Sequence, residues 1–297
     1  MDYIFLVIAA MLYSLMFLTN RGYQRSNGTG LGNALTFSMY TSLIALAVFL
    51  TLTLIGNLTS WSVLSGFKLR FSLFSFLMAS LASLVVVSYS IFSIKALGAV
   101  NLSLYSIFAM LGGMLLPSLY GLIFSGEKLT LGKLACYVLI VVALMLTFEK
   151  GKKNDRKSLF YCFGVFVLNG LSGVVTSIHR EAEFAHMAVS SETFTMTNRA
   201  ISVCLCLITF LVIYKKFPKL KLRDLGNVSG NAICGGMGNL LQLIALVSLP
   251  SSILFPIITG GTMLFSMIVS FIIKEKPSVK TILASVISAA STVLMMF

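Results

Sequence analysis

The chain has 297 residues, 58% of them hydrophobic and only 10% charged, with a mean hydropathy of +0.97. That balance excludes a soluble domain and points to a multi-spanning membrane protein. The net charge of +13 does not imply a nucleic-acid partner, because the basic residues fall in short turns between apolar runs, where membrane orientation accounts for them.

In chain order, the first apolar run covers 3–19. It has no basic leader and no small-residue cleavage site, so it reads as a retained span. Charge-free runs, turn residues and length then predict helices over 31–55, 71–94, 100–124, 130–148, 158–178, 191–214, 226–247, 251–273 and 278–297. Residues 26–67 carry no charge, nor do residues 225–273. Roughly 20 apolar residues rising about 1.5 Å each cross a hydrocarbon core of about 30 Å. The second stretch is therefore long enough for two spans, with Pro250 a natural break near its middle. Segments such as 71–94 are apolar on every face, whereas barrel strands alternate, so the spans are helices that satisfy their own backbone. The expected fold is all-α, with ten transmembrane helices. Cys136, Cys162, Cys204, Cys206 and Cys234 lie in apolar stretches without a C-x-x-C pair and read as small buried residues.

The longest polar interruptions are Glu149–Lys157 and Lys215–Asp224, and the first falls at the middle of the chain. An internal repeat spans it. Thr36-Phe37-Ser38-Met39 recurs as Thr193-Phe194-Thr195-Met196. Gly112-Gly113, Ser118 and Glu127-Lys128 recur as Gly260-Gly261, Ser266 and Glu275-Lys276, and Ala96-Leu97 recurs as Ala245-Leu246. The common order and near-constant offset divide the chain into 1–149 (helices 1–5) and 157–297 (helices 6–10). An odd number of spans per copy makes the second copy enter from the opposite side. Inverted repeats of this kind characterise secondary transporters.

The ends of the two halves, Gly126-Glu127-Lys128-Leu129-Thr130 and Lys274-Glu275-Lys276-Pro277-Ser278, resemble the glycine–glutamate–basic turn of the drug/metabolite transporter superfamily, in its EamA-type ten-helix members. Leu249-Pro250-Ser251-Ser252 resembles that family's entry to the ninth helix, and Arg199 resembles an arginine early in its seventh. The chain departs from the pattern at Ser42, where the repeat would place a partner of Arg199, at Asn101 in place of a proline matching Pro250, and at Lys274 in place of glycine. The resemblance covers nearly the whole chain. It implies movement of amino acids, other metabolites, sugars or drugs by alternating access.

Candidate substrate-binding residues form stripes on otherwise apolar helices. Helix 8 places Asn231, Gly235, Gly238 and Gln242 on one face. Helix 4 does the same with Asn101, Tyr105, Phe108 and Gly112, helix 6 with Asn169, Ser172, Gly173 and Thr176, and helix 1 with Tyr13 and Asn20. Tyr40 and Tyr89 would add aromatic walls. The competing reading is close helix packing with amides as interhelical glue. Arg199 is the formal charge well inside a span. It is either a holder of a substrate carboxylate or a side chain that snorkels to the interface.

All nine acids fall at span ends or in loops, which argues against antiport of cations through a mid-membrane carboxylate. Glu181, Glu183 and Glu192 beside His179 and His186 read as a solvated turn, since the histidine spacing does not suit a metal. With no Walker motif, nucleophile–base pair or metal cluster, neither an enzyme nor a bound cofactor is expected. The expected partners are a small-molecule substrate and the bilayer, without nucleic acid. A monomer suffices for an inverted pair, and a homodimer is the alternative assembly.

Odd-numbered connections hold 16 of the 22 lysines and arginines, which by the positive-inside rule puts both termini outside a plasma or inner membrane. The family resemblance implies both termini in the cytoplasm instead. The leading functional expectation is a secondary active transporter of a small polar, amino-acid-like metabolite. The alternative is a channel-like or lipid-translocating protein.

Overall fold

The computed structural model describes residues 2–58, 70–147, 155–246 and 251–294. Within them the chain forms α1 (Asp2–Asn27), α2 (Leu31–Leu58), α3 (Leu73–Ala99), α4 (Leu102–Phe124), α5 (Leu131–Leu146), α6 (Asp155–Phe184), α7 (Ser191–Tyr214), α8 (Leu225–Leu246), α9 (Ser251–Ile272) and α10 (Val279–Leu294). No strand occurs among the described residues. Seven helices are long and apolar enough to cross a membrane, and α5 and α10 are shorter apolar helices. The protein is an all-helical, polytopic membrane protein. Pro250, Lys68, Glu149, Lys150, Lys152 and Lys153 lie outside the described residues.

Two helices run well past the limits expected from hydropathy. α1 continues to Asn27 instead of stopping at 19, because Arg21 and Arg25 are paired and need not end it. α6 runs to Phe184 rather than 178, which corrects the reading of its end as a solvated turn. His179 is buried, its ring packed against Phe194 at 3.9 Å and near Phe74 at 6.5 Å, with Nε2 3.1 Å from the Ser75 hydroxyl. At the end of α3, the Lys95 ammonium lies 5.4 Å from the ring centre of Tyr161, a cation–π placement that suits a charge near the membrane edge.

Eight helices pack in a closed ring in the order α1, α8, α2, α7, α3, α6, α4, α9 and back to α1. α5 and α10 pair with each other outside it, and α10 rests on α9 and α4. Successive helices alternate in direction. The first end of the ring is where α1, α3, α7 and α9 finish and α2, α4, α8 and α10 begin; the second end is opposite.

At the first end the ring is pinched, because α1 also reaches across it to α3 and α4, and α2 reaches α3. Among the described residues no comparable contact joins α6 to α8 or α9, or α7 to α8, at the second end.

Two seams fix the ring, and both are built from small residues, as expected where lipid supplies no hydrophobic drive between helices. In the α4–α6 seam, Gly112 lies so close to the backbone of α6 that a Cβ there would fall on the carbonyl of Phe166. Asn169 Nδ2 donates to the Ala109 carbonyl at 2.6 Å. In the α1–α8 seam, a Cβ on Gly235 would lie 2.9 Å from Met16 Sδ and one on Gly238 3.2 Å from the Tyr13 ring. The side-chain amide of Asn231 donates to the Met16 carbonyl at 2.9 Å.

The turns before α5 and α10 share a backbone. Gly126 and Lys274 both adopt a left-handed conformation, at φ 69° and 59°, and Thr130 and Ser278 cap the helices that follow. Glycine takes this conformation freely, whereas a lysine bears a cost of about 1–2 kcal/mol.

Gly112→Ala should destabilise the protein by about 1–3 kcal/mol through overpacking and lower its thermal unfolding midpoint in detergent. Gly226→Ala, where an added Cβ meets no atom within 4 Å, should leave the midpoint within error.

Candidate functional site

The predicted polar residues divide into three groups. Asn20, Tyr89 and Tyr105 come together. The Asn20 amide donates to Ser93 Oγ at 2.9 Å, that hydroxyl lies 2.7 Å from the Tyr105 hydroxyl, and Tyr105 lies 2.8 Å from the Tyr89 hydroxyl. Tyr105 is fully buried, with the edge of its ring against Phe17 at a centroid distance of 5.1 Å. The network links α1, α3 and α4 across the ring and forms the polar layer of the pinch. Asn20 Oδ1 is buried there without a hydrogen-bond partner.

A second group is spent on the seams and caps. Tyr13 donates to Gln242 Oε1 at 2.9 Å, tying α1 to α8 alongside Asn231. Asn169 joins α6 to α4. Asn101 caps α4, its side chain accepting from the Leu104 amide at 2.8 Å. Tyr40 packs among residues of α2, α3 and α7 and donates to the Pro218 carbonyl in the turn after α7 at 3.1 Å. In these positions the helix-glue reading of the stripes describes what the side chains do.

Arg199 stands alone. It lies about 12 Å along α7 from Ser191, at about 1.5 Å per residue. Its Nε is buried without a hydrogen-bond partner, and it forms no ion pair among the described residues. Its neighbour Asn198 is engaged, since its backbone and side-chain oxygens both accept from Ser83 Oγ at 2.9 Å. The residue as a whole is half-buried, and a guanidinium whose Nε is withdrawn from water without an acceptor favours any anion that reaches it.

Sequence reasoning passed over a side chain that joins three helices among the described residues. Glu275, in the turn after α9, is 7% exposed and pairs with both Arg21 and Arg25 at 2.7 Å. Its second oxygen accepts from the Leu102 amide at the start of α4 at 2.7 Å and from Ser270 Oγ at 3.3 Å. Ser103 extends the joint, its amide donating to Ser270 Oγ at 3.0 Å and its hydroxyl lying 3.0 Å from Ser285 Oγ. One carboxylate thus holds α1, α4 and α9 together at the pinched end. The repeated glutamate-lysine pair was the signal that could have found it, because the two arginines that follow the first apolar run offer it partners.

The chain matches no protein-family model and no curated protein. Among the solved structures that share its fold, one crystal structure superposes with a TM-score of 0.64 at 15% sequence identity, covering 99% of this chain and 96% of that one. The architecture is therefore shared over the full length of both chains, and the likeness speaks to the fold alone.

Tyr105→Phe removes the central hydroxyl and leaves those of Ser93 and Tyr89 short of a partner. It should cost about 1–3 kcal/mol, read as a lowered unfolding midpoint, with the helical content unchanged by circular dichroism.

Proposed function

We propose that the protein is a secondary active transporter of the drug/metabolite type, with ten spans in two inverted five-helix halves. It moves a small polar metabolite by alternating access. The observation that carries this reading is the asymmetry of the ring. Exchanging α1 with α6, α2 with α7, α3 with α8 and α4 with α9 maps the ring's neighbours onto one another, so that α1–α8 becomes α6–α3 and α4–α6 becomes α9–α1. The pinch does not survive the exchange. A two-fold arrangement that, among the described residues, is closed at one end only is what one state of a rocking carrier requires. The matching turns at Gly126 and Lys274 support the same repeat.

In this reading Arg199 supplies the charge that recognises the substrate's anionic group. Nothing else in the described spans offers an uncompensated cation of comparable depth. Counterflow in liposomes tests the proposal. Saturable, trans-stimulated exchange of an organic anion supports the carrier, whereas flux that does not saturate favours the channel-like alternative. Arg199→Gln removes charge-assisted hydrogen bonds worth about 1.5–3 kcal/mol, so ligand-induced thermal stabilisation should weaken about tenfold or more in apparent affinity. Stabilisation by cations alone would sink the role given to Arg199.

The first end of the ring carries Arg21, Arg25, Lys95 and the basic residues from Lys215 to Arg223. By the positive-inside rule it faces the cytoplasm of a plasma or inner membrane, with both termini outside. A reporter that is active only in the cytoplasm should stay silent when fused after Phe297; activity there would reverse the orientation.

A further inference from the structure

We propose that Glu275 is a charge-operated latch that locks the first end of the ring shut, and that Glu127 is its counterpart for the opposite end, disengaged in this state. The proposal rests on the carrier reading above only for the role of Glu127.

The latch follows from the geometry. A carboxylate that is 7% exposed sits between two guanidinium groups at 2.7 Å and also accepts from the first turn of α4. It therefore joins three helices that must separate for this end to open. The contact is made through a turn whose backbone is left-handed at Lys274, which sets Glu275 directly after the bend. Buried charges separate unwillingly, because each must be rehydrated or left unpaired.

Glu127 occupies the same position after the left-handed Gly126, in the turn that precedes α5. Its backbone amide donates to the Gly121 carbonyl at 3.0 Å, much as that of Glu275 donates to the Ser270 carbonyl at 2.9 Å. The two side chains nevertheless do different things. Glu127 is 52% exposed and pairs with Lys133 on the adjoining α5 at 2.6 Å, within its own half. The end of α4 is held to α6 by other groups, with the Tyr120 and Ser125 hydroxyls both donating to Glu181. One glutamate is thus engaged across the ring where the ring is pinched. The other is turned to solvent where it is not. When the ends exchange, Glu275 is released and Glu127 swings in toward the start of α9.

The test is site-specific labelling in nanodiscs. Ala96 is fully buried in the cluster with Phe17, Leu102 and Tyr105 at the closed end. A cysteine there, in a chain lacking the two cysteines that are not buried, Cys204 and Cys234, reports opening by its rate of reaction with a charged maleimide. The same chain without the reporter sets the background. Glu275→Gln should raise that rate about tenfold or more, the change expected from about 1.4 kcal/mol. Arg25→Gln, which alters a half-exposed side chain, should raise it by a smaller factor. Glu127→Gln should lower it, because the state in which this end is open then loses its own latch.

A parental rate in Glu275→Gln overturns the latch. If that variant does not fold, a parental rate in Arg25→Gln does so instead. An equal rise in Glu127→Gln would mean general loosening and overturns it too. Labelling needs no substrate, so a failure of counterflow with a positive labelling result removes the carrier and leaves the latch, and the converse removes the latch alone.

Discussion

A carboxylate withdrawn from water must find partners for both oxygens, and in this protein the search for those partners organises one whole end of the molecule. Glu275 draws in Arg21 and Arg25 from α1 and the first amide of α4, while Ser270 completes its surroundings. Each of these groups would be costly if left alone at the membrane edge. The arginines would otherwise terminate α1, and the α4 amides have no intrahelical acceptor. The single anion answers the arginines and the Leu102 amide, and Ser270 and Asn101 take the next two amides. The hydroxyl chain from Asn20 through Ser93 and Tyr105 to Tyr89 then lies below it as a second layer.

Deeper in the bundle the governing physics changes. Lipid solvates an apolar side chain as well as a neighbouring helix does, so association depends on close contact and on hydrogen bonds. Glycines at 112, 235 and 238 allow backbones and rings to meet, and Asn169 and Asn231 each secure one seam with a bond to a carbonyl of the facing helix. Arg199 breaks the pattern, since it carries a full charge, its buried Nε has no hydrogen-bond partner, and it forms no ion pair among the described residues.

Much of this was legible in the sequence. The helices themselves followed from apolar runs, and α7 begins and ends where expected. The ends of α1 and α6 were not legible, because hydropathy treats every charge as a stop. Arg21 is neutralised by a residue 254 positions away, and His179 is buried by aromatic rings brought from α3 and α7. Stripes of polar residues were visible at Tyr13, Asn20, Asn231 and Gln242, but spacing on one helix cannot say whether the facing surface is a cavity or another helix. Asn101 illustrates the same limit on a smaller scale. It fits a stripe by register, and its side chain is taken up by the local need to cap α4.

The α1–α8 seam also bears on how the protein is made. Tyr13 and Gln242 are 229 positions apart in the chain, so at a synthesis rate of about 5–20 residues per second α1 enters the bilayer roughly 10–45 s before its partner exists. During that interval the hydroxyl of Tyr13 sits in the membrane without its partner Gln242, while the amide of Asn20 waits only for Ser93, 73 positions on. The first half of the chain cannot close its own ring, because every neighbour of α1 within the ring lies in the second half. Assembly of the fold is thereby deferred until translation is nearly complete, and the nascent chain must be sheltered from lipid or from other proteins until then.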